Sequence, residues 1–130
     1  MRKIKTGILL AVLLFSAACF MSPRVHLAAQ EFRGRTFNEV WDASLWAIRD
    51  MNLTVISMNR RGGMIGADPA GYPYHHYPPL LSVLIRGNSR AVFVECRISQ
   101  MDRRGEAVGF GRRNVREFFT ALNYHLGRIR

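Results

Sequence analysis

The strongest structural signal in the chain is the segment TFNEVWDASLWAI, residues 36–48. Thr36 and Glu39 have the spacing of a capping box, in which the first side chain caps a new helix. Apolar residues then recur at intervals of three and four, the period of an amphipathic helix: Phe37, Trp41, Leu45 and Ile48. Asn52 tolerates the left-handed backbone that ends a helix. The sequence therefore predicts a helix over residues 36–51.

β-rich runs separated by turn sequences follow this helix. The predicted strands are 53–58, 64–67, 81–85 and 91–100, with a first edge strand at 31–33 and a short strand at 106–110. The turn Arg86–Ser89 predicts a hairpin between the third and fourth runs. In the last run, alternation places four apolar residues on one face: Val92, Val94, Cys96 and Ile98.

A second helix is predicted from Asn114, with Glu117 three residues later and Gly127 as its end. Its apolar face consists of Val115, Phe118, Phe119, Leu122 and Leu126. Two amphipathic helices therefore flank a meander of strands, each of which has one apolar face. The expected fold is therefore an α+β two-layer sandwich, with an antiparallel meander sheet of four to five strands and two helices on one face.

The first eighteen residues predict an export signal. Basic residues Arg2, Lys3 and Lys5 precede the apolar run 8–15, and the small residues Ser16-Ala17-Ala18 follow it. The apolar stretch is shorter than the roughly 20 residues that a membrane-spanning helix needs. We expect residues 1–18 to be a signal peptide that is removed.

Ser16-Ala17-Ala18-Cys19 resembles the lipobox of bacterial lipoproteins, although that family prefers Leu, Val or Ile where this chain has Ser16. The resemblance implies that Cys19 is acylated and becomes the new N-terminus. Phe20, in place of Asp, implies an outer-membrane location facing the periplasm. Residues 19–30 are then the lipidated Cys and tether, and 31–130 a single α+β domain. Ordinary cleavage after Ala18 or near 28–29 would instead give a soluble periplasmic protein.

Val40-Trp41-Asp42-Ala43-Ser44-Leu45, followed by the runs 53–55 and 63–67, resembles a helix-and-hairpin module of small, mostly uncharacterised envelope lipoproteins. The lipoprotein component of the outer-membrane β-barrel assembly machine shows the same arrangement. The resemblance covers roughly residues 30–127 and rests on core-packing positions. It implies a fold and carries no active site.

The charge of the chain is strongly positive, at +10 with 19 basic and 9 acidic residues. Without Arg2, Lys3 and Lys5 the 16 remaining basic residues still give +7. Because an exported protein meets little nucleic acid, we expect no nucleic-acid partner. Anionic lipid, lipopolysaccharide or cell-wall polymer is the expected counter-charge, and a merely solvated basic surface is the alternative.

Two groups of residues are candidate sites. The Pro- and Tyr-rich segment 68–79 offers rigid aromatic contact area and is predicted either as a partner-binding loop or as a semi-rigid connector. Its candidate residues are Tyr72, Tyr74, His75, His76 and Tyr77. Three basic doublets are predicted either to converge into an anion-binding edge or to remain solvated loop charge: Arg60, Arg61, Arg103, Arg104, Arg112 and Arg113.

No pattern of catalytic or metal-binding residues is present in the sequence. Adjacent His75 and His76 point in opposite directions on an extended chain, so no metal site is expected. Cys96 is predicted to be a small buried apolar residue. The prediction is a non-enzymatic envelope lipoprotein without a cofactor, held at the membrane by its lipid anchor and acting as a structural or protein-interaction module. The alternative is a soluble periplasmic domain that binds an anionic ligand or cell-wall polymer.

Overall fold

A computed structural model describes residues 25–70, 79–99 and 111–129. The elements in chain order are β1 (Val25–Arg33), α1 (Phe37–Asp50), β2 (Leu53–Asn59), β3 (Met64–Pro69), β4 (Leu81–Gly87), β5 (Ala91–Ser99) and α2 (Arg112–Arg128). The predicted strand at 106–110 lies outside the described residues.

Helix α1 matches its prediction at both ends. Thr36 is the N-cap, and its hydroxyl accepts a hydrogen bond from the Glu39 backbone N–H at 3.2 Å. At the other end Asn52 adopts a positive φ of 57°, and its N–H donates to the Arg49 carbonyl at 3.0 Å. Local capping chemistry is therefore sufficient to fix where this helix starts and stops.

The five strands form one sheet in the order β1-β5-β4-β3-β2, with every neighbouring pair antiparallel. Both helices pack on the same face of this sheet, because the inward side chains of β4 and β5 share a single core with residues of α1 and α2. The fully buried members of that core include Ile48, Val83, Val94 and Phe118. The α+β fold with one antiparallel five-stranded sheet and two helices is confirmed.

Strand β1 is longer than predicted and corrects the assignment of residues 25–30 to a tether. It pairs with β5 over nine residues, from Val25 opposite Ser99 to Arg33 opposite Ala91. The alternation of apolar and polar residues does not predict this part of the strand. Apolar Val25 and Leu27 lie exposed on the open face, whereas His26 and Gln30 are turned toward the helices. The strand is fixed by its pairing with β5 rather than by its own alternation.

Helix α2 begins at Arg112, two residues before the predicted N-cap. Asn114 is the third helical residue, and its side-chain oxygen accepts a hydrogen bond from the Gly111 N–H at 3.0 Å. Gly127 lies inside the last turn rather than after it, since the helix continues to Arg128. The predicted apolar face is correct: Val115, Phe118, Leu122 and Leu126 are all buried.

The antiparallel order gives the domain two distinct ends. At one end, here called the turn end, lie the β1–α1 connection, the β2–β3 turn and the β4–β5 turn. Contacts join these segments: the Ile85 N–H donates to the Gly63 carbonyl at 2.7 Å, and Gly87 lies against Phe37. At the opposite end lie the start of β1 and the end of α1. We call this the N-terminal end of the domain.

Candidate functional site

The turn end carries a concentration of arginine side chains. Each of its three connecting segments contributes two of them. They are Arg33 and Arg35 before α1, Arg60 and Arg61 in the β2–β3 turn, and Arg86 and Arg90 at the β4–β5 turn. The sheet order therefore brings three separate basic segments to the same end of the domain.

Two of the six arginines have carboxylate partners. Arg33 contacts Glu31 at 3.1 Å, and Arg35 contacts Glu39 at 3.7 Å. Arg35 also donates a hydrogen bond to the carbonyl of Ile129 at 3.4 Å, which joins the β1–α1 connection to the end of α2. Exposed pairs of this kind contribute about 0–1 kcal/mol each, so their role here is mainly to compensate local charge.

Arg60 is held in place by neutral groups. Its guanidinium donates to the Asn38 side-chain oxygen at 2.7 Å and lies 5.8 Å from the centre of the Trp41 ring. The exposed side chains of Arg61, Arg86 and Arg90 have no carboxylate within 4 Å among the residues that the structure describes. Four arginines of the turn end are therefore not neutralised by the described part of the domain.

The charge of the described chain is unevenly distributed. Over residues 25–70, 79–99 and 111–129 there are 12 arginines and 7 carboxylates, a formal charge of +5. The six turn-end arginines with Glu31 and Glu39 account for +4 of it. The rest of the described domain is thus nearly neutral, and the turn end is the part that attracts anions.

The predicted arginine set does not come together as a whole. Arg60 contacts the first turn of α1, whereas Arg113 lines a groove with Asp50 and Asn52 at the other end of that helix. The 14 residues of α1 separate them by about 20 Å. The side chain of Arg112, with Arg103 and Arg104, lies outside the described residues.

Four other arginines lie at the turn end with Arg60 and Arg61. The sequence analysis does not predict them as part of this set, because each is a single arginine rather than one of a doublet. Arg86 and Arg90 flank the Gly87–Ser89 turn, and Arg33 and Arg35 flank Gly34. The signal available in the sequence was the recurrence of arginine beside every connection at one end of an antiparallel meander.

A second feature is a ridge of aromatic side chains where α1 and α2 pack together. Trp46 and Tyr124 are 50% and 59% exposed, and His125 lies between them. The Trp46 and His125 rings stack at 6.2 Å, and the Tyr124 ring meets His125 edge-on at 5.3 Å. We call Trp46, Tyr124 and His125 the aromatic ridge.

Charged groups contact all three side chains of the aromatic ridge. The Arg49 guanidinium lies 5.3 Å from the centre of the Trp46 ring, and Arg128 lies 5.6 Å from that of Tyr124. Asp50 contacts the His125 Nε2 at 2.5 Å across the two helices. An exposed surface that is already ordered loses little side-chain entropy when a partner binds.

Open grooves border the ridge on both sides. One, of about 440 Å³, is lined by Asp42, Ala43, Trp46, His125, Arg128 and Ile129. The other, of about 610 Å³, runs from Asp50 and Asn52 along the first half of α2 to Tyr124. The ridge is therefore a raised aromatic surface between two depressions, a shape that a complementary protein surface can cover.

Cys96 is fully buried in the core, which confirms its predicted role as a small apolar residue. Burial raises the pKa of its thiol to about 12. The neutral thiol is a poor nucleophile, so Cys96 is chemically inert in the folded protein. Within the described ranges, no three His, Cys, Asp or Glu side chains are grouped so that they could hold a metal ion.

Cys19 and the predicted binding loop, with Tyr72, Tyr74, His75, His76 and Tyr77, lie outside the described residues. Among the helices that are described, none is long and apolar enough to cross a membrane. In the comparisons with known proteins, no family model matches the chain and no curated protein matches it.

Proposed function

We propose that this chain is a lipid-anchored protein of the bacterial cell envelope that works as a non-enzymatic interaction module. The observation that carries the proposal is the sequence of its first nineteen residues, an export signal that ends in small residues and Cys19. Its proposed location is the outer membrane facing the periplasm, because Phe20 and not Asp follows Cys19.

The position of β1 defines how such an anchor would hold the domain. Only six chain steps separate Cys19 from Val25, where the sheet begins. Fully extended, they span about 20 Å. The N-terminal end of the domain would then lie close to the bilayer, and acyl chains contributing roughly 0.8 kcal/mol per buried CH₂ would retain it there.

The aromatic ridge supports the interaction part of the proposal. Trp, Tyr and Arg are the residue types that contribute most to protein–protein binding. Trp46 and Tyr124 are exposed, contacted by Arg49 and Arg128, and bordered by grooves. The Tyr-rich segment 68–79 is predicted to be a second aromatic surface for protein binding. The partner of the aromatic ridge and the partner of this loop must therefore be tested in separate experiments.

The anchor is tested by the mass of the mature N-terminus and by membrane fractionation. We expect an N-terminal fragment that begins at Cys19 and carries acyl chains. Cys19→Ala should move the protein from the membrane to the soluble fraction, whereas Cys96→Ala, which removes the buried thiol, should leave it at the membrane. An intact Met1 or a membrane-bound Cys19→Ala protein would contradict the anchor.

The soluble periplasmic alternative gives a different result in the same experiment. Cleavage after Ala18, or near residues 28–29, would leave a free amino terminus without acyl chains. Cleavage near 28–29 would also remove the first half of β1, which pairs with β5 from Val25 onward. A stable periplasmic protein cut there would therefore have lost sheet pairing, and hydrogen exchange of β5 would detect it.

The ridge is tested by in-cell photocrosslinking from position 42, an exposed position that lines the groove beside Trp46. We expect a discrete crosslinked product that is lost in a Trp46→Ala/Tyr124→Ala background carrying the probe at the same position. Phe93→Ala is the matched control, because Phe93 is 46% exposed on the opposite, open face of the sheet. Products that persist in the ridge variant, or disappear equally in the Phe93 control, would argue against the ridge as the partner surface.

A further inference from the structure

We infer that the turn end binds an extended anionic polysaccharide through Arg61, Arg86 and Arg90. The observation is the charge distribution: the turn end has a formal charge of +4, and the remaining described domain has +1. All three side chains are exposed and lack carboxylate partners within the described ranges. Their charge is therefore available to an external anion.

The spacing of the arginines indicates a ligand with several charges. The three arginines lie at the β2–β3 and β4–β5 turns, which are two strand spacings, about 10 Å, apart at the same end of the sheet. A single small anion contacts only neighbouring side chains, whereas a polymer that carries a charge on successive units can contact the whole row. The row therefore matches an elongated polyanion.

Guanidinium groups suit carboxylates in particular, because their planar fork can donate two parallel hydrogen bonds to one carboxylate. Arg60 contributes order to the row: its contacts with Asn38 and Trp41 hold the β2–β3 turn against α1. Gly63 of the same turn is fixed to β4 through the Ile85 N–H. The β2–β3 turn that carries Arg61 is thus tied by direct contacts to both α1 and β4.

The choice of a polysaccharide rests on the proposed export and anchor. Strand β1 spans about 26 Å from Val25 to Arg33, so the turn end points away from the end that joins Cys19. A ligand on that side is more accessible to it than the anchoring bilayer. Outside the cytoplasm, carboxylate-bearing glycans are the abundant extended polyanions, which is why the inference names them before nucleic acid.

The test uses the full chain purified from membranes in detergent, with alginate as the carboxylate polysaccharide and neutral dextran as its control. The variant is Arg61→Gln/Arg86→Gln/Arg90→Gln, and Arg60 is kept because it holds the turn. The matched control is Arg97→Gln/Arg113→Gln/Arg116→Gln, which removes the same charge from exposed positions outside the turn end. Circular dichroism confirms that both fold.

We expect the wild-type chain to bind alginate and not dextran, with an affinity that falls as salt rises. The turn-end variant should bind alginate roughly tenfold more weakly, and the control variant should lose less than about threefold. Equal losses in both variants would mean that net charge and not this surface determines binding, and would overturn the inference. Absence of alginate binding by the wild type would overturn it as well.

Two further probes decide between classes of polyanion. Tighter binding of the wild type to a single-stranded oligonucleotide, or to vesicles that contain anionic lipid, than to alginate would overturn the polysaccharide assignment. The anchor fails separately: a chain with a free N-terminus that still binds alginate through the three arginines would refute the lipid anchor and leave the surface intact. An acylated chain that does not bind alginate would refute the polysaccharide-binding surface and leave the lipid anchor intact.

Discussion

Replacing Gly63 with Ala should damage the arginine-bearing turn more than any other single-methyl change at a glycine of the described chain. Gly63 has a positive φ of 69°, and an added Cβ would overlap the Ile85 carbonyl oxygen and lie 3.1 Å from its carbonyl carbon. The Gly63 carbonyl accepts the Ile85 N–H at 2.7 Å. The added methyl group would therefore clash with backbone atoms of Ile85, which cannot rotate out of the way as a side chain could.

Three terms set the size of the effect. A left-handed backbone costs about 1–2 kcal/mol for a residue with a Cβ. Forcing apart a packed contact costs about 1–3 kcal/mol, and losing the hydrogen bond to Ile85 costs about 0.5–1.5 kcal/mol. We expect Gly63→Ala to lower the free energy of unfolding by about 3–5 kcal/mol, a large part of the roughly 5–15 kcal/mol of a typical domain.

Gly34→Ala isolates the backbone part of this cost. Gly34 has nearly the same φ, 71°, but no heavy atom lies within 4 Å of its added Cβ. Urea unfolding followed by circular dichroism should therefore give a loss of only about 1–2 kcal/mol for Gly34→Ala. A Gly63→Ala loss within about 0.5 kcal/mol of the Gly34→Ala loss would refute the steric reasoning, since both variants would then report φ alone.

Three other substitutions have expected outcomes that the same unfolding assays can check. Thr36→Ala should cost about 1 kcal/mol, because it removes the acceptor for the Glu39 N–H, whereas exposed Thr54→Ala should cost less. An unchanged stability in Thr36→Ala would mean that the cap is dispensable. Gly127→Ala should stabilise the domain by about 0.5–1 kcal/mol, since this exposed helical position has open space for a Cβ. Cys96 should react with thiol reagents only after unfolding. Its buried thiol has its pKa raised from 9.0 to about 12, so the unfolded chain releases this proton first and stability should fall between those pH values. Cys96→Val should remove that part of the pH dependence, and an identical pH profile would contradict the assignment.

Only part of the candidate site can be predicted from the sequence. The doublet Arg60-Arg61 is visible in the sequence, but the arginines that join it at the turn end include Arg86 and Arg90, which lie 25–30 residues later in the chain. No local pattern joins them, because their proximity comes from the pairing of β3 with β4. The aromatic ridge escaped for a similar reason. Trp46 and Tyr124 look like ordinary helix residues until the packing of α1 on α2 leaves them exposed side by side.

Features that depend on short-range chemistry can be predicted from neighbouring residues in the sequence. The Thr36 cap, the left-handed Asn52 and the apolar stripe between them specify α1 within a window of seventeen residues. The alternation of β5 likewise specified the burial of Cys96. Hydrogen bonds of caps and the periodicity of side chains act over one or two turns, so they can be read from neighbouring residues.

Which segments lie next to one another depends on contacts between residues that are far apart in the chain. Only residues 31–33 of β1 are predicted as a strand, because the inward residues before them, His26, Ala28 and Gln30, are polar or small. The full strand forms because it pairs with β5 over nine residues. The same long-range pairing places a net formal charge of +4, out of +5 for the described residues, at one end of the domain and the start of β1 at the other. Sheet order is a property of contacts between residues tens of positions apart, and its free energy is gained only when the whole sheet forms.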